Sequence, residues 1–342
     1  MIWRKFLAPL AGMWWVVTSA RNVLFNHNIL YSKSFPIPII SVGNLSTGGT
    51  GKTPHTAYLL EFLKNRYRTA VLSRGYGRKT KGFLVANYDS TAKQIGDEPS
   101  LFFNRFRNRI IVAVGEDRIA AIRKLLKQFE LDAIILDDAF QHRRLRAGFQ
   151  ILLTDYSQLY VDDYLLPMGN LRESYVGARR ADAIIVTKCP EEMSDEQKQE
   201  IAKKLQVRAA QPLFFSRIVY GDTLIHPKYP MKLSESRDCH VLLVTGIANP
   251  KPMEVYAKSQ FNKVSHLSFP DHHDFKPDDI AQISMAYDEM QHPAIILTTE
   301  KDYMRLKHES ALSENLYYLP ITIAIDRQSE FDEMIENYVQ QN

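Results

Sequence analysis

A glycine-rich segment with the residue types of a phosphate-binding loop runs from Ser46 to Thr53 (STGGTGKT). It matches the pattern GxxxxGK[ST] except that Ser46 takes the place of the first glycine. In this pattern backbone N–H groups converge on phosphate oxygens, Lys52 reaches the β- and γ-phosphates, and the hydroxyl of Thr53 binds Mg²⁺. The alternative is a glycine-rich turn that contains a lysine by chance. We predict an ATP site with contacts from the following residues: Thr47, Gly48, Gly49, Thr50, Gly51, Lys52 and Thr53.

Two acidic segments have the chemistry that would complete such a site. The apolar run DAIILD (132–137) ends in Asp137, which Asp138 follows, and either carboxylate could hold Mg²⁺ directly or through water. Helix capping by an exposed aspartate is the alternative. The segment GDEP (96–99) places Asp97 and Glu98 at a turn before an apolar helix, where a carboxylate could accept the proton of an attacking hydroxyl. As first-turn residues of that helix they would equally be structural.

A histidine-containing segment, Asp271-His272-His273-Asp274, has three interpretations. It could be a surface turn, a metal site, or a catalytic pair in which an aspartate and a histidine together form a base that works near neutral pH. Because no further His or Cys lies at ligand spacing, a structural zinc site is the least favoured of the three.

Two loops carry arginines that could bind a phosphorylated sugar. The first, residues 73–78 (SRGYGR), follows an apolar run and offers Tyr76 for stacking and Arg74 for phosphate. A tight turn with solvated arginines is the alternative. The second, residues 169–174 (GNLRES), could contact a ligand through Arg172, or could be a helix start capped by Asn170. The basic segment QHRR (141–144) suits either a phosphate cleft or a solvated surface.

Composition limits the broad class of the protein. The chain has 342 residues, of which 45% are hydrophobic and 24% charged, which is enough for two globular domains. The net charge of +4 does not indicate nucleic acid as a partner, although a basic excess suits anionic substrates or lipid surfaces. Cys189 and Cys239 lie far apart, so we expect neither a disulfide framework nor a thiolate metal site.

The N-terminus contains an uncharged, largely apolar run from Phe6 to Ala20 with basic residues on both sides. It is shorter than the roughly 20 apolar residues of a membrane-spanning helix. A cleaved signal peptide and a core helix are two alternatives. We favour an interfacial anchor, because tryptophans (Trp3, Trp14 and Trp15) between basic flanks are typical of a helix at headgroup depth.

Short apolar runs alternate with helical stretches along the rest of the chain, which predicts parallel strands buried on both faces of a doubly wound α/β sheet. A second group of such runs begins near residue 241. We predict an anchor helix (1–30), a phosphate-loop domain (31–210) and a second, smaller α/β domain (211–342), with a proline-containing linker at about 206–235.

An ordered set of motifs resembles the tetraacyldisaccharide 4′-kinase family of the lipid A pathway in Gram-negative bacteria. The motifs, which extend over nearly the whole chain after the anchor, are SVGNLSTGGTGKTP (41–54), LSRGYGR (72–78), GDEP (96–99), DDAFQHRR (137–144), GNLRE (169–173), VTGIANP (244–250), FPDHHDF (269–275) and TTEKD (298–302). Two residues depart from the family pattern: Ala139 stands where glycine is common, and Ser46 lies outside the strict loop consensus.

The resemblance implies an ATP- and Mg²⁺-dependent transfer of the γ-phosphate to the 4′-hydroxyl of an acylated glucosamine disaccharide 1-phosphate, giving lipid IV-A. It implies that Asp97 receives the proton with the help of His272, and that Lys52 is catalytic. The metal and nucleotide would be bound by the acidic residues Glu98, Asp137 and Asp138, together with the hydroxyl of Thr53. The substrate side would be Arg74, Tyr76, Asn170, Arg172 and Glu173.

The family also implies peripheral attachment to the cytoplasmic face of the inner membrane, with no nucleic acid and no obligate protein partner. Two other functions stay open on the sequence alone. One is a membrane-associated ATPase or GTPase of the ParA-like or metallochaperone kind, and the other is a nucleotide-regulated adaptor without catalysis.

Overall fold

A nine-stranded, mostly parallel sheet and a four-stranded parallel sheet form the framework of the protein. The computed structural model describes residues 2–342, with side chains from residue 4 onward, so Met1 and the side chain of Trp3, both within the predicted anchor, lie outside the described part. The α-helices have the following bounds: α1, Ala8–Asn26; α2, Lys52–Leu63; α3, Ala92–Ile95; α4, Asp97–Phe106; α5, Arg118–Gln128; α6, Asp195–Leu205; α7, Lys251–Gln260; α8, Pro277–Asp288; α9, Glu300–Leu306; α10, Gln328–Gln341.

The strands have the following bounds: β1, Ile39–Asn44; β2, Thr69–Ser73; β3, Leu84–Val85; β4, Ile111–Val114; β5, Ala133–Asp137; β6, Phe149–Asp155; β7, Ala183–Thr187; β8, Leu213–Tyr220; β9, Thr223–Leu224; β10, Met231–Lys232; β11, His240–Thr245; β12, Lys263–Ser268; β13, Ala294–Thr299; β14, Leu316–Leu319; β15, Ile321–Ile325. The large sheet has the order β15-β8-β7-β6-β1-β5-β2-β4-β3, and the small sheet has the order β12-β11-β13-β14. Only the edge strands β3 and β15 pair antiparallel in the large sheet.

The centre of the large sheet is buried on both faces, as the unbroken apolar runs predict. Every residue of β1, β2, β5 and β7 is buried. Strand β1 lies between β5 and β6, in parallel register with both. In a sheet of this kind ligands bind beyond the carboxyl ends of the strands, where neighbouring connections diverge. The phosphate loop (residues 46–53), which follows β1, and Asp137, at the end of β5, therefore lie together at that edge.

The predicted linker at 206–235 is wrong for its central part. Residues 213–220 (LFFSRIVY) form β8, which pairs with β7 and with β15 in the large sheet. Burial of apolar side chains such as Phe214 on the sheet outweighs the turn signal of the prolines nearby. A domain boundary at residue 210 remains a prediction. The large sheet nevertheless includes β8 and β15, which come after residue 210, and α10 packs against it.

The two chain connections between the sheets lie next to each other in space. β8 leaves the large sheet at Gly221, and β14 returns to it through Pro320, with the N–H of Gly221 donating to the carbonyl oxygen of Pro320 at 2.9 Å. Helix α4 packs against α9, and one contiguous apolar cluster includes Phe102 of α4 and Leu306 of α9. The sheets therefore share part of their hydrophobic core.

Helix α1 exposes apolar side chains along much of its length. Met13 and Val17, one turn apart, are 67% and 61% exposed. Only Ala11, Thr18 and Phe25 of the helix are buried, so the core-helix alternative does not describe it. None of the described helices is long and apolar enough to cross a bilayer.

Helix α10 completes the core of the large sheet. Phe331 is 1% exposed and its ring lies 5.2 Å from that of Phe214 on β8. We expect Phe331→Ala to lower the free energy of unfolding by about 3–5 kcal/mol, because a large buried side chain is removed. Urea denaturation measures this, with Val255→Ala, at an exposed position of α7, as the control. A Phe331→Ala loss as small as that of the control would contradict the packing of α10.

Candidate active site

The phosphate loop has the open backbone that the motif predicts. Gly48 and Gly51 have φ values of +117° and +84°, which favour glycine, and a Cβ at Gly48 or Gly49 would meet nothing within 4 Å. Gly51 is the N-cap of α2, so the helix begins directly at the loop. The loop is held from outside, because Thr187 Oγ1 donates to the carbonyl of Thr50 at 2.9 Å and the N–H of Thr47 donates to the carbonyl of Asn170 at 2.7 Å. The accidental-turn alternative therefore loses its support.

Lys52 is held over the loop by oxygen atoms. Its Nζ lies 3.4 Å from Asn44 Oδ1, 3.5 Å from the carbonyl of Gly48 and 3.9 Å from Asp138 Oδ2. Burial lowers the pKa of Lys52, and the nearby carboxylate of Asp138 opposes that shift. These long contacts are weak, so the ammonium group can exchange them for phosphate oxygens at small cost.

Asp137 is a buried residue at the end of β5, so the exposed helix cap considered from sequence is not what the structure contains. Its carboxylate accepts hydrogen bonds from Thr56 Oγ1 at 3.1 Å and from Ser73 Oγ at 3.4 Å. Burial raises its pKa to about 7, and the negative charges of Glu98 and Asp138 add to the shift. Three carboxylates thus lie near Lys52, and burial and their mutual repulsion disfavour ionisation of Asp137.

This acidic group fits a divalent cation. A cation shared by Asp137 or Asp138 and phosphate oxygens would relieve the repulsion that raises the pKa of Asp137. Within the part of the chain that the structure describes, no three His, Cys, Asp or Glu side chains surround a single point. That agrees with Mg²⁺, which is usually held by one or two carboxylates together with phosphates and water. Thr53, in the first turn of α2, is half-buried.

Arg172 lies among the nucleotide-site residues and is paired there. Its guanidinium donates to both carboxylate oxygens of Asp138, at 2.9 and 3.3 Å, and to Gln141 Oε1 at 3.4 Å. Gln141 in turn donates to the carbonyl of Asn44 at 2.8 Å, beside the phosphate loop. Arg172 therefore joins the 169–174 loop to the acidic group. A direct contact with the substrate stays a prediction.

Glu173 and Asn170 both contact the N-terminal segment, and a contact of Asn170 with substrate stays a prediction. Glu173 is fully buried, and its oxygens accept from Asn22 Nδ2 at 2.7 Å and Arg180 Nη2 at 2.8 Å, so its predicted contact with substrate is not available in this structure. Asn170 caps no helix; its side chain accepts from Arg4 Nη1 at 3.3 Å. Trp14 Nε1 also donates to the carbonyl of Arg172 at 2.9 Å. The loop thus fastens α1 to the active-site edge.

Asp97 and His272 come together from the two sheets. Asp97 is the first residue of α4, and His272 follows β12, with its Nδ1 3.0 Å from Asp97 Oδ2. Burial alone would raise the pKa of Asp97, but hydrogen bonds and charge from Arg305, with help from His272 and Lys301, hold that pKa below its usual range. Asp97 is thus a first-turn residue that also contacts His272, and its role as the proton acceptor stays a prediction.

The other residues of the 271–274 segment have separate partners. His273 Nε2 lies 2.9 Å from Asp279 Oδ2, at the start of α8, and Lys93 Nζ lies 3.7 Å from Asp274 Oδ1. Because the two histidines face different carboxylates, the metal-site interpretation of this segment loses its support.

Arg74 and Tyr76 lie on the exposed loop after β2. Tyr76 is 72% exposed and its ring meets that of His272 edge-on at 5.9 Å. Gly75 and Gly77 have positive φ values of 71° and 74°, so the loop is also the tight turn considered from sequence. The exposed ring beside His272 suits contact with a sugar, which stays a prediction.

Sequence inspection missed several residues of this site. Asn44 contacts Lys52, Thr56 binds Asp137, and Arg118, 3% exposed, faces the aspartates from the start of α5. Burial lowers the pKa of Arg118 to about 10. Asn44 gave a detectable signal, since it is a polar residue at the end of an apolar run. Arg118 and Thr56 gave none, because their helices place them at the site only after folding.

The raised pKa of Asp137 predicts a pH-dependent stability change. An acid whose folded pKa is raised destabilises the fold as pH climbs from the unfolded value near 3.8 to about 7, since only the unfolded state then ionises. We expect Asp137→Asn without ligands to melt higher than wild type by ~5 °C at pH 8, and to match it at pH 4. Differential scanning fluorimetry with Asp89→Asn as the control measures this, and an equal difference at both pH values would contradict the shift.

The comparisons with known proteins agree on one family. A family model described as tetraacyldisaccharide-1-P 4′-kinase matches residues 3–340. A tetraacyldisaccharide 4′-kinase from Flavobacterium johnsoniae is 46% identical over 99% of this chain and 98% of the relative, and one from Bacteroides thetaiotaomicron is 43% identical over 99% and 94%. The crystal structure of LpxK from Aquifex aeolicus in complex with ATP has a TM-score of 0.79 and 30% identity, covering 99% of this chain and 100% of that one.

These matches confirm the predicted α/β fold with its phosphate loop, and they extend over both sheets and the N-terminal helix. The chain belongs to the tetraacyldisaccharide 4′-kinase family.

Proposed function

We propose that this protein transfers the γ-phosphate of ATP to the 4′-hydroxyl of a tetraacylated glucosamine disaccharide 1-phosphate, the step that forms lipid IV-A in lipid A biosynthesis. Membership of the kinase family supports the reaction and its dependence on ATP and Mg²⁺. The observation that carries the residue assignment is the Asp97–His272 contact of 3.0 Å. The nucleotide site lies close by, because Asp97 is followed in the chain by Glu98, whose charge acts on both Lys52 and Asp137.

Most of the catalytic effect comes from charge and position. The backbone N–H groups of the phosphate loop and the ammonium of Lys52 bind and orient the phosphates, and these donors oppose the negative charge of the transferring group. Thr53 and Asp137 would hold Mg²⁺, which would supply further neutralisation of the phosphate charge. The low dielectric around these groups makes each contribution larger than it would be in water.

Asp97 is suited to receive the hydroxyl proton. Its lowered pKa keeps it ionised at neutral pH, so it can orient the hydroxyl as an acceptor from the start. Phosphoryl transfer passes through a loose transition state, in which the proton leaves late and a strong base is not needed. His272 holds one oxygen of Asp97 in place. Tyr76 and Arg74 are the proposed contacts for the sugar, because the exposed ring of Tyr76 meets His272 and Arg74 is exposed on the same loop.

The apolar surface of α1 supports a location at a membrane. We infer that α1 lies in the plane of the bilayer surface, with its exposed apolar side chains in the lipid. Its tryptophans, Trp14 and Trp15, are 43% and 51% exposed, which suits headgroup depth. Because ATP is cytoplasmic and the relatives come from Gram-negative bacteria, we place the protein at the cytoplasmic face of the inner membrane. The proposal includes no nucleic acid and no obligate protein partner.

The two alternative functions are not favoured. A metallochaperone or ParA-like ATPase would use the 271–274 segment for metal, but its histidines are bound to separate carboxylates. A non-catalytic adaptor would not need a proton acceptor, whereas Asp97 is held in its ionised form close to the nucleotide site.

A micelle assay tests the reaction. With labelled ATP, Mg²⁺ and the acylated disaccharide in detergent, label should enter the lipid. Asp97→Asn should lower kcat by about 10²- to 10⁴-fold, the usual contribution of a base, with little change in nucleotide binding. Lys52→Ala should impair both. Asp89→Asn, an exposed aspartate outside the site, is the control. No label with wild-type protein would refute the function, and full kcat in Asp97→Asn would refute only the role of Asp97.

Vesicle flotation tests the membrane assignment. We expect the double variant Met13→Glu/Val17→Glu to reduce binding to vesicles of phosphatidylethanolamine and phosphatidylglycerol, because it places two charges in the exposed apolar face of α1. Val255→Glu/Met285→Glu is a matched control, since those side chains are 60% and 65% exposed on other helices. Equal loss in both double variants would show a general charge effect and contradict the role of α1.

A further inference from the structure

We propose that Arg305 and Asp302, both on α9, form a positioning pair that holds the Asp97 carboxylate against His272 across the junction of the two sheets. This inference rests on the proposed role of Asp97. Neither residue reacts itself; together they set where the base lies relative to the incoming hydroxyl.

The guanidinium of Arg305 is occupied on every side. Its Nε donates to Asp97 Oδ1 at 3.1 Å, and its Nη2 donates to Asp97 Oδ2, so the planar fork of the guanidinium grips both carboxylate oxygens. Its Nη1 donates to the carbonyl of His273 at 3.2 Å. Two parallel bonds fix the plane of a carboxylate as a single bond cannot. The orientation of Asp97 therefore depends on where Arg305 lies.

Asp302 fixes both Arg305 and the loop that carries His272. It is fully buried, its Oδ1 lies 3.6 Å from Arg305 Nη1, and its Oδ2 accepts from the N–H of Gly246 at 2.9 Å and from Thr299 Oγ1 at 2.8 Å. The carbonyl of Gly246 accepts the N–H of His272 at 3.1 Å. The buried Oδ1 has no hydrogen-bond partner, so the charge of Arg305 is what compensates it.

The Arg305–Asp97 contact crosses between the two sheets. Asp97 begins α4, which packs on the large sheet, whereas Arg305 lies on α9 of the small sheet, and both side chains are nearly buried, at 13% and 11% exposed. A buried ion pair of this geometry is costly to break, because separation leaves two charges without partners. Docking of the sheets and assembly of the base are thus one event.

Several charged groups face Asp97, and Arg305 is the main stabilising one. Lys301 of α9 and His272 also favour its ionised form, whereas Glu98, next along α4, and Asp271, beside Lys301, carry negative charge. Burial alone would raise the pKa of Asp97. Without Arg305 the carboxylate loses both bonds of the fork and can turn away from His272.

Kinetics of two Arg305 variants in the full-length protein test the inference. With ATP, Mg²⁺ and the disaccharide in micelles, Arg305→Gln should lower kcat by about 100-fold, a typical effect of misplacing a catalytic group, with little change in KM for ATP. Arg305→Lys should restore little of kcat, since it returns the charge without the fork. Asp302→Asn should lower kcat about tenfold, because Arg305 keeps its pair with Asp97 but loses the second carboxylate that holds it in position.

A readout that needs no turnover separates this inference from the function. In ¹³C NMR of aspartate-labelled protein at one neutral pH, the carboxyl signal of Asp97 should move in Arg305→Gln relative to wild type, because both bonds of the fork are lost. Arg66→Gln, which removes the surface pair with Glu336 at 2.7 Å, is the control for losing an arginine. An unchanged Asp97 signal and an unchanged kcat in folded Arg305→Gln would overturn the inference and leave the function standing. A moved Asp97 signal with no wild-type kinase activity would do the reverse.

Discussion

The concentration of negative charge at the carboxyl ends of β1 and β5 is the constraint on which the rest of the structure depends. Asp137, Asp138 and Glu98 lie near one another, with Lys52, Arg172 and Arg118 as nearby cations, and the triphosphate of ATP would add more negative charge. Carboxylates this close together repel one another. The fold accommodates Asp137 through a buried sheet and hydrogen bonds from Thr56 and Ser73, and a bound cation would reduce the repulsion further.

The chemistry of the site is divided between the sheets in a way that suits this constraint. The large sheet carries the nucleotide loop and its acids, whereas the small sheet supplies His272, Lys301 and Arg305, which are neutral or positive. Attraction between Asp97 and these groups brings the sheets together at the base rather than at the phosphates. The N-terminal helix is fastened separately, through Glu173 and the backbone of Arg172, to the nucleotide edge.

The sequence predicted the central strands and the phosphate loop well because their signals are local. Apolar runs such as residues 133–137 and the GKT tripeptide can be interpreted without knowing the rest of the fold. The strand at 213–220 was mistaken for a linker, because its partner β15 is about a hundred residues away in the chain and no local sequence pattern predicts their pairing. Glu173 was assigned to substrate for the same reason, as its partners Asn22 and Arg180 meet it only after folding. Arg305 lay just beyond a recognised motif, and its distance from Asp97 in sequence concealed their contact.

The adjacency of Gly221 and Pro320 has a mechanical consequence. Both covalent connections between the sheets pass through these two hydrogen-bonded residues, which lie side by side. Away from them the sheets are held to each other by noncovalent contacts, such as the packing of α4 on α9 and the pair between Asp97 and Arg305. Loss of those contacts would separate Arg305 and His272 from Asp97, whereas the phosphate loop would keep its place, because it follows β1 of the large sheet. The proposed base therefore depends on noncovalent docking of the sheets, and the nucleotide loop does not.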